Sequence, residues 1–105
     1  MYVCHGDSSL GLLQPLQGIS ELCHQYDCLL MVDAVVSLCS NPVPMDLLEI
    51  DVLFSASQKA LSGPPGISLI SFSNRAVERF KTRLNVQPVS SYYMDIRLVA
   101  QAWGK

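Results

Sequence analysis

Two short apolar runs constrain this chain more than anything else in it. Cys28-Leu-Leu-Met-Val32 leads straight into Asp33, and Val52-Leu-Phe54 is followed by Ser55-Ala-Ser57, Gln58 and Lys59. Unbroken apolar runs of this length predict strands covered on both faces, the pattern of a parallel sheet. The small residues Ser55-Ala-Ser57 are expected to break the second run. Between the runs, Leu38 to Ile50 holds Asn41-Pro-Val-Pro44 and a weakly helical Met45–Leu48. It reads as a mostly loop-like crossover, long enough to return the chain to a parallel neighbour. Parallel strands end along one sheet edge, where α/β proteins bind ligands. The chain is therefore expected to be α/β, with Asp33 and Lys59 on the functional edge.

The remaining elements fit that frame. Met1–Cys4 reads as a strand stub, and His5-Gly-Asp-Ser-Ser9 as a turn in which Asp7, Ser8 or Ser9 could cap the next helix. Pro15 to Tyr26 predicts a helix with an apolar stripe of Leu16, Ile19, Leu22, Cys23 and Tyr26, and with His24 on its surface. Gly63-Pro-Pro-Gly66 turns the chain, and Ile67–Phe72 reads as an antiparallel edge or penultimate strand. Ser73 or Asn74 could cap a helix over Arg75–Leu84, whose apolar face is Val77, Phe80 and Leu84 and whose basic residues read as a solvated surface. Asn85–Ser91 is a linker. Tyr92–Trp103 predicts a second amphipathic helix with Tyr93, Ile96, Val99, Ala100 and Trp103 on one face.

Asp33 and Lys59 each have a bland reading. Most lysines in turns are solvated. An ionised carboxylate closing an apolar strand costs several kcal/mol unless paired or hydrogen-bonded. The two could form a structural ion pair, or could hold a cofactor between them. The Gln58 amide is read either as exposed in a turn or as lining the site.

Three motifs carry a resemblance to a known family. Ser57-Gln-Lys-Ala-Leu61 followed by Pro64-Pro-Gly66, Val32-Asp-Ala-Val-Val-Ser37, and His5-Gly-Asp-Ser-Ser-Leu-Gly11 together resemble the class V aminotransferases, which use pyridoxal 5'-phosphate. The likeness runs from about Val3 to Trp103. It implies part of the large domain of a fold-type I pyridoxal-phosphate enzyme, a partial three-layer sandwich on a mostly parallel sheet with one antiparallel strand. By resemblance, Lys59 carries the cofactor as a Schiff base and shuttles the proton between the substrate Cα and the cofactor. Asp33 binds the protonated ring nitrogen and keeps the ring an electron sink. Val35 packs on a ring face, Ser8 donates a hydrogen bond to the cofactor, and Gln58 lines the site. Asp7 and Leu10 stand where the family usually has Glu and Thr, so only Ser8 is carried over from that turn. Pyridoxal-phosphate enzymes such as the cysteine desulfurases usually carry His before the lysine, so Gln58 favours the aminotransferase branch.

The resemblance further implies small amino-acid and 2-oxo-acid substrates, with the amino group passing from alanine or serine to glyoxylate. It implies a homodimer for the full-length family member and a peroxisomal or mitochondrial location. The family's phosphate cradle lies upstream of the matched region and its substrate-carboxylate arginine downstream. The 105 residues are thus expected to be an incomplete large domain, either a segment of an active enzyme or a fragment inactive alone, acting at most through association with full-length subunits. No glycine-rich phosphate loop occurs in the sequence.

Composition narrows the alternatives. A net charge of −2 without a basic block argues against a nucleic-acid partner. No apolar run approaches the ~20 residues of a membrane span. Met1–His5 lacks the features of a secretory signal, and Gly104-Lys105 shows no targeting tripeptide. Cys4, Cys23, Cys28 and Cys39 are irregularly spaced and read as buried reduced thiols of an intracellular protein, with no metal site.

Overall fold

The computed structural model describes residues 1–83 and 85–103; the expectations that fall on Leu84, on the Trp103 side chain and on Gly104-Lys105 lie outside the described residues. In chain order come β1 (Tyr2–Cys4), β2 (Gly6–Asp7), β3 (Leu12–Leu13), α1 (Gln17–Gln25), β4 (Met31–Asp33), β5 (Val52–Ala56), β6 (Ser68–Phe72), α2 (Asn74–Arg83), a 3-10 turn (Tyr92–Met94) and α3 (Ile96–Trp103). The main sheet has the order β1-β4-β5-β6. Its first three strands are parallel, and β6 runs antiparallel to β5 at one edge, as the sequence predicts. The fold is mixed α/β.

Register decides what each face carries. Val3, Val32 and Leu53 lie side by side. They form one face of the sheet, because side chains alternate along a strand. α1 covers that face: Leu16 and Cys23 join Leu30, Val32 and Ile50 in the buried core, with Ile19 packed against it. The opposite face carries Cys4, Asp33, Phe54 and Ile70 in one row, with Tyr2 and Phe72 one step away on the same side. There Phe80 of α2 meets Phe72 edge to face, ring centroids 5.3 Å apart.

Burial corrects several expectations. Leu22 and Tyr26 are exposed, so the buried side of α1 is Leu16, Ser20 and Cys23. The run expected as a strand over Cys28–Val32 forms one only at Met31–Asp33, with Asp33 inside it, and Met31 is exposed, so β4 is not covered along its whole length. Of the four thiols, which are all free, only Cys23 is buried; Cys4 and Cys39 are exposed. The Leu38–Ile50 crossover is a series of turns, with no α-helix at Met45–Leu48. Ser55 does not end β5. Its hydroxyl donates to the Ala34 carbonyl (3.2 Å), which lets a small polar residue sit buried inside the strand. The C-terminal helix is interrupted at Asp95, and Tyr93 is exposed instead of packed.

The amino edge of the sheet corrects the reading of the basic helix. Asp51 is buried, and its carboxylate accepts from the Leu30 N–H (2.8 Å), the Ser73 hydroxyl (2.9 Å) and Arg75 (3.2 Å). Arg75 also donates to the Cys28 carbonyl (3.1 Å) and pairs with Asp27. Arg75 is thus a buried-charge partner, not part of a solvated face. Arg79 pairs with Asp27 too (2.7 Å), and that hydrogen bond holds the Asp27 carboxyl below its usual range. Ser73 does a second job, because its Oγ accepts from the Ala76 N–H (3.0 Å) and caps α2. Ser73→Ala removes the cap and a donor to Asp51. It is expected to lower the unfolding free energy by about 1–2 kcal/mol, read as a lower urea midpoint.

Candidate functional site

Three loops leave the carboxyl edge of β1, β4 and β5, and each carries residues singled out from the sequence. Asp33, the last residue of β4, is half-buried. Its Oδ1 accepts from the Val35 N–H (2.9 Å) and its Oδ2 from the Tyr2 hydroxyl (3.0 Å). Each carboxylate oxygen therefore has a donor of its own. The backbone is tied down as well: the Asp33 carbonyl accepts from the His5 N–H and the Phe54 carbonyl from the Ala34 N–H, each at 2.9 Å. Val35 is half-buried just beyond.

Lys59 lies three residues after β5, in a turn closed by Ser62 N–H to the Lys59 carbonyl (2.9 Å) and Gly63 N–H to the Ser57 carbonyl (2.8 Å). The buried Ser57 hydroxyl donates to the Pro64 carbonyl (2.6 Å) and pins the loop's return. Gly66 has φ of +125°, a backbone conformation that only glycine adopts without strain, and it lets the chain re-enter as β6. Gln58 and Lys59 are exposed. Among the described residues, the Lys59 ammonium makes no ion pair with Asp33 or any other carboxylate. The structural ion-pair reading of Asp33 and Lys59 is set aside on that ground.

Ser8 sits at the tip of a hairpin that the sequence did not reveal. β2 and β3 pair antiparallel, Gly6 with Leu13 and Asp7 with Leu12. Asp7 Oδ1 accepts from the Ser9 N–H (2.7 Å), so this turn caps itself and not α1, whose start at Leu16 has no side-chain cap. Two-residue strands are too short to show a period, which is why the hairpin is illegible in sequence. Ser8 is exposed and faces a shallow groove shared with Val36, Ser37 and Asn41.

The structure thus joins Asp33 and Val35 by a direct hydrogen bond, and places Ser8 and Gln58-Lys59 on neighbouring loops of the same edge. It also adds residues that pattern reading missed. Tyr2 stacks on Phe54 with centroids 6.3 Å apart, the two rings flanking Asp33 on one face. His5 is buried with Nδ1 2.9 Å from the Ser37 hydroxyl. Tyr2 and Phe54 become visible only through the parallel registers of β1 and β5 against β4, and His5 only through the packing of the loops that follow β1 and β4.

Burial lowers the His5 pKa below its ordinary 6.5. The folded chain then binds fewer protons than the unfolded one between the two values, so stability rises with pH across that interval. The contribution is complete above about pH 6.5 and is lost as pH falls toward the depressed value. Urea midpoints measured from pH 7.5 to 5 are expected to decline, and His5→Gln should flatten the decline.

Residues 1–97 match the family model described as aminotransferase class-V. The chain belongs to the class V aminotransferases. It is 53% identical over 104 residues to the alanine–glyoxylate aminotransferase of Felis catus, a match that covers 99% of this chain and 25% of the relative. The crystal structure of alanine–glyoxylate aminotransferase from Nostoc sp. matches with a TM-score of 0.85 at 36% identity, over 99% of this chain and 27% of that one. The ureidoglycine–glyoxylate aminotransferase structure from Bacillus subtilis matches with a TM-score of 0.90 at 32% identity, over 99% and 26%. The chain therefore spans about a quarter of the length of the class V aminotransferases it matches. Membership of the family implies pyridoxal phosphate as cofactor.

Proposed function

We propose that this chain supplies the ring-binding part of a pyridoxal-phosphate site for transamination, within the large domain of a longer subunit that acts as a homodimer. One observation carries the reading. Asp33 presents a carboxylate immobilised on both oxygens at the end of β4, beside the strand whose outgoing turn carries the primary amine of Lys59.

The donor set fits the heterocycle: an acid for a protonated ring nitrogen, an amine for an aldehyde, and the apolar Val35 for a ring face. Asp33 would hold the proton at the ring nitrogen. Lys59 Nζ would hold the aldehyde carbon and, as a free amine, would carry the proton to and from the substrate Cα. Ser8 and Gln58 would orient the bound group through their hydroxyl and amide. When bound, pyridoxal phosphate supplies the electron sink that loosens the α-proton of an amino acid. The names of the three relatives share glyoxylate and differ in the second substrate, alanine or ureidoglycine. That supports glyoxylate as acceptor, with alanine or serine as the donor that the family resemblance implies.

A second reading has its own support. The sequence has no glycine-rich phosphate loop, and Arg75, Arg79 and Arg97 are engaged by Asp27, Asp51 and Asp95, so none of these three is poised for a substrate carboxylate. The 105-residue chain alone is accordingly expected to turn over alanine and glyoxylate no faster than background. The binding site itself is tested by adding pyridoxal phosphate, reducing with borohydride and mapping the labelled peptide. Preferential labelling of Lys59 that falls in Asp33→Asn supports the site; equal labelling of Lys59, Lys81 and Lys105 refutes it.

A further inference from the structure

Asp33 is the only carboxylate on the carboxyl edge of the main sheet that takes a hydrogen bond from a phenol among the described residues. Tyr2 has one hydroxyl proton, and the geometry directs it to Asp33 Oδ2 at 3.0 Å. The Cys4 sulfur lies beside this bond, 3.3 Å from the phenol oxygen and 4.0 Å from Asp33 Oδ2. The Phe54 ring, stacked on Tyr2, holds the phenol in this pose.

We infer that Tyr2 is a positioning residue for the cofactor ring nitrogen: its hydroxyl fixes Asp33 Oδ2 so that the carboxylate meets a pyridinium N–H without first having to reorient. This rests on the reading of Asp33 as partner of the ring nitrogen. The Val35 N–H occupies Oδ1 and the Tyr2 hydroxyl Oδ2, yet each carboxylate oxygen has two lone-pair sites. The second site on Oδ2 faces only the Cys4 thiol at 4.0 Å, a long, weak contact that a pyridinium N–H displaces. The Val35 bond alone would leave the carboxylate free to swing about its Oδ1 contact; the Tyr2 bond removes that freedom before the ring arrives. Outer partners that aim a binding group in this way are worth about tenfold or more in affinity where buried. Tyr2 is 55% exposed, so an effect of about three- to tenfold is expected.

The test uses borohydride trapping at Lys59, scored against Lys81 in the same digest. Two aldehydes are compared: pyridoxal phosphate and its 1-deaza analogue, in which carbon replaces the ring nitrogen. Tyr2→Phe keeps the ring stack and removes only the hydroxyl. It should lower selective trapping of pyridoxal phosphate about three- to tenfold and leave the deaza analogue unchanged. Asp33→Asn should abolish the preference for the nitrogen ring, and Tyr2→Phe added to it should have no further effect. If Tyr2→Phe lowers both aldehydes equally, or changes neither while Asp33→Asn lowers trapping of the nitrogen ring, the role of Tyr2 is refuted and that of Asp33 stands. If Asp33→Asn leaves the preference intact, the reading of Asp33 fails and the inference about Tyr2 falls with it.

Discussion

Arg75→Ala is expected to lower the unfolding free energy by about 3 kcal/mol, the low end of the roughly 3–5 kcal/mol typical of breaking a buried ion pair. Asp51 has a side chain only 2% exposed, and Arg75 is its one cationic partner among the described residues. Without the guanidinium, an ionised carboxylate stays buried with two neutral donors, the Leu30 N–H and the Ser73 hydroxyl. The low end applies because Arg75 is itself 28% exposed, so water can enter the space it leaves. A domain of this size has about 5–15 kcal/mol in total, so the loss is a large share of it. The urea midpoint should fall by about 1–3 M at the usual slope. Asp51→Leu combined with Arg75→Met should recover part of that loss, because an apolar pair leaves no charge stranded, although the Leu30 N–H then loses its acceptor. An unchanged midpoint in Arg75→Ala would mean that Asp51 is hydrated and that the amino edge is not held this way.

Lys59→Arg is expected to reduce borohydride-trapped pyridoxal phosphate in the Gln58–Leu61 turn about tenfold or more, to the background level of Lys81. Arginine keeps the positive charge and most of the length of the side chain. It cannot give up a proton in the accessible pH range, and so cannot form the imine. The comparison therefore separates covalent chemistry from simple attraction of an anionic ligand to a cation, which the guanidinium of the variant would preserve. Circular dichroism should be unchanged, since the Lys59 side chain is exposed and the turn is closed by backbone bonds. Retained labelling spread over the other lysines, with no loss of total yield, would show that the turn binds nothing in particular.

The elements that surfaced in the sequence are those whose signal is local. The apolar run before Asp33 and the run before Lys59 specify strands because consecutive apolar residues there have no other place to go. Ser73 declares the start of a helix through its own hydroxyl, and the proline–glycine turn declares the reversal into an antiparallel edge strand. The family motifs lie on these same segments, and they brought Ser8, Asp33, Val35, Gln58 and Lys59 to attention without coordinates.

What the tertiary structure alone decided is pairing between residues far apart in the chain. Tyr2 reaches Asp33 across a parallel register, Arg75 reaches Asp51 from the helix that follows the edge strand, and His5 reaches Ser37 next to a hairpin of two-residue strands. None of these residues is unusual beside its neighbours in sequence. A side chain's partners on a sheet are set by which strands adjoin and at what offset, and a one-residue slip would turn Asp33 to the other face. The sequence determined which segments become strands and helices and which residues carry chemistry; only the folded register decided which of them touch.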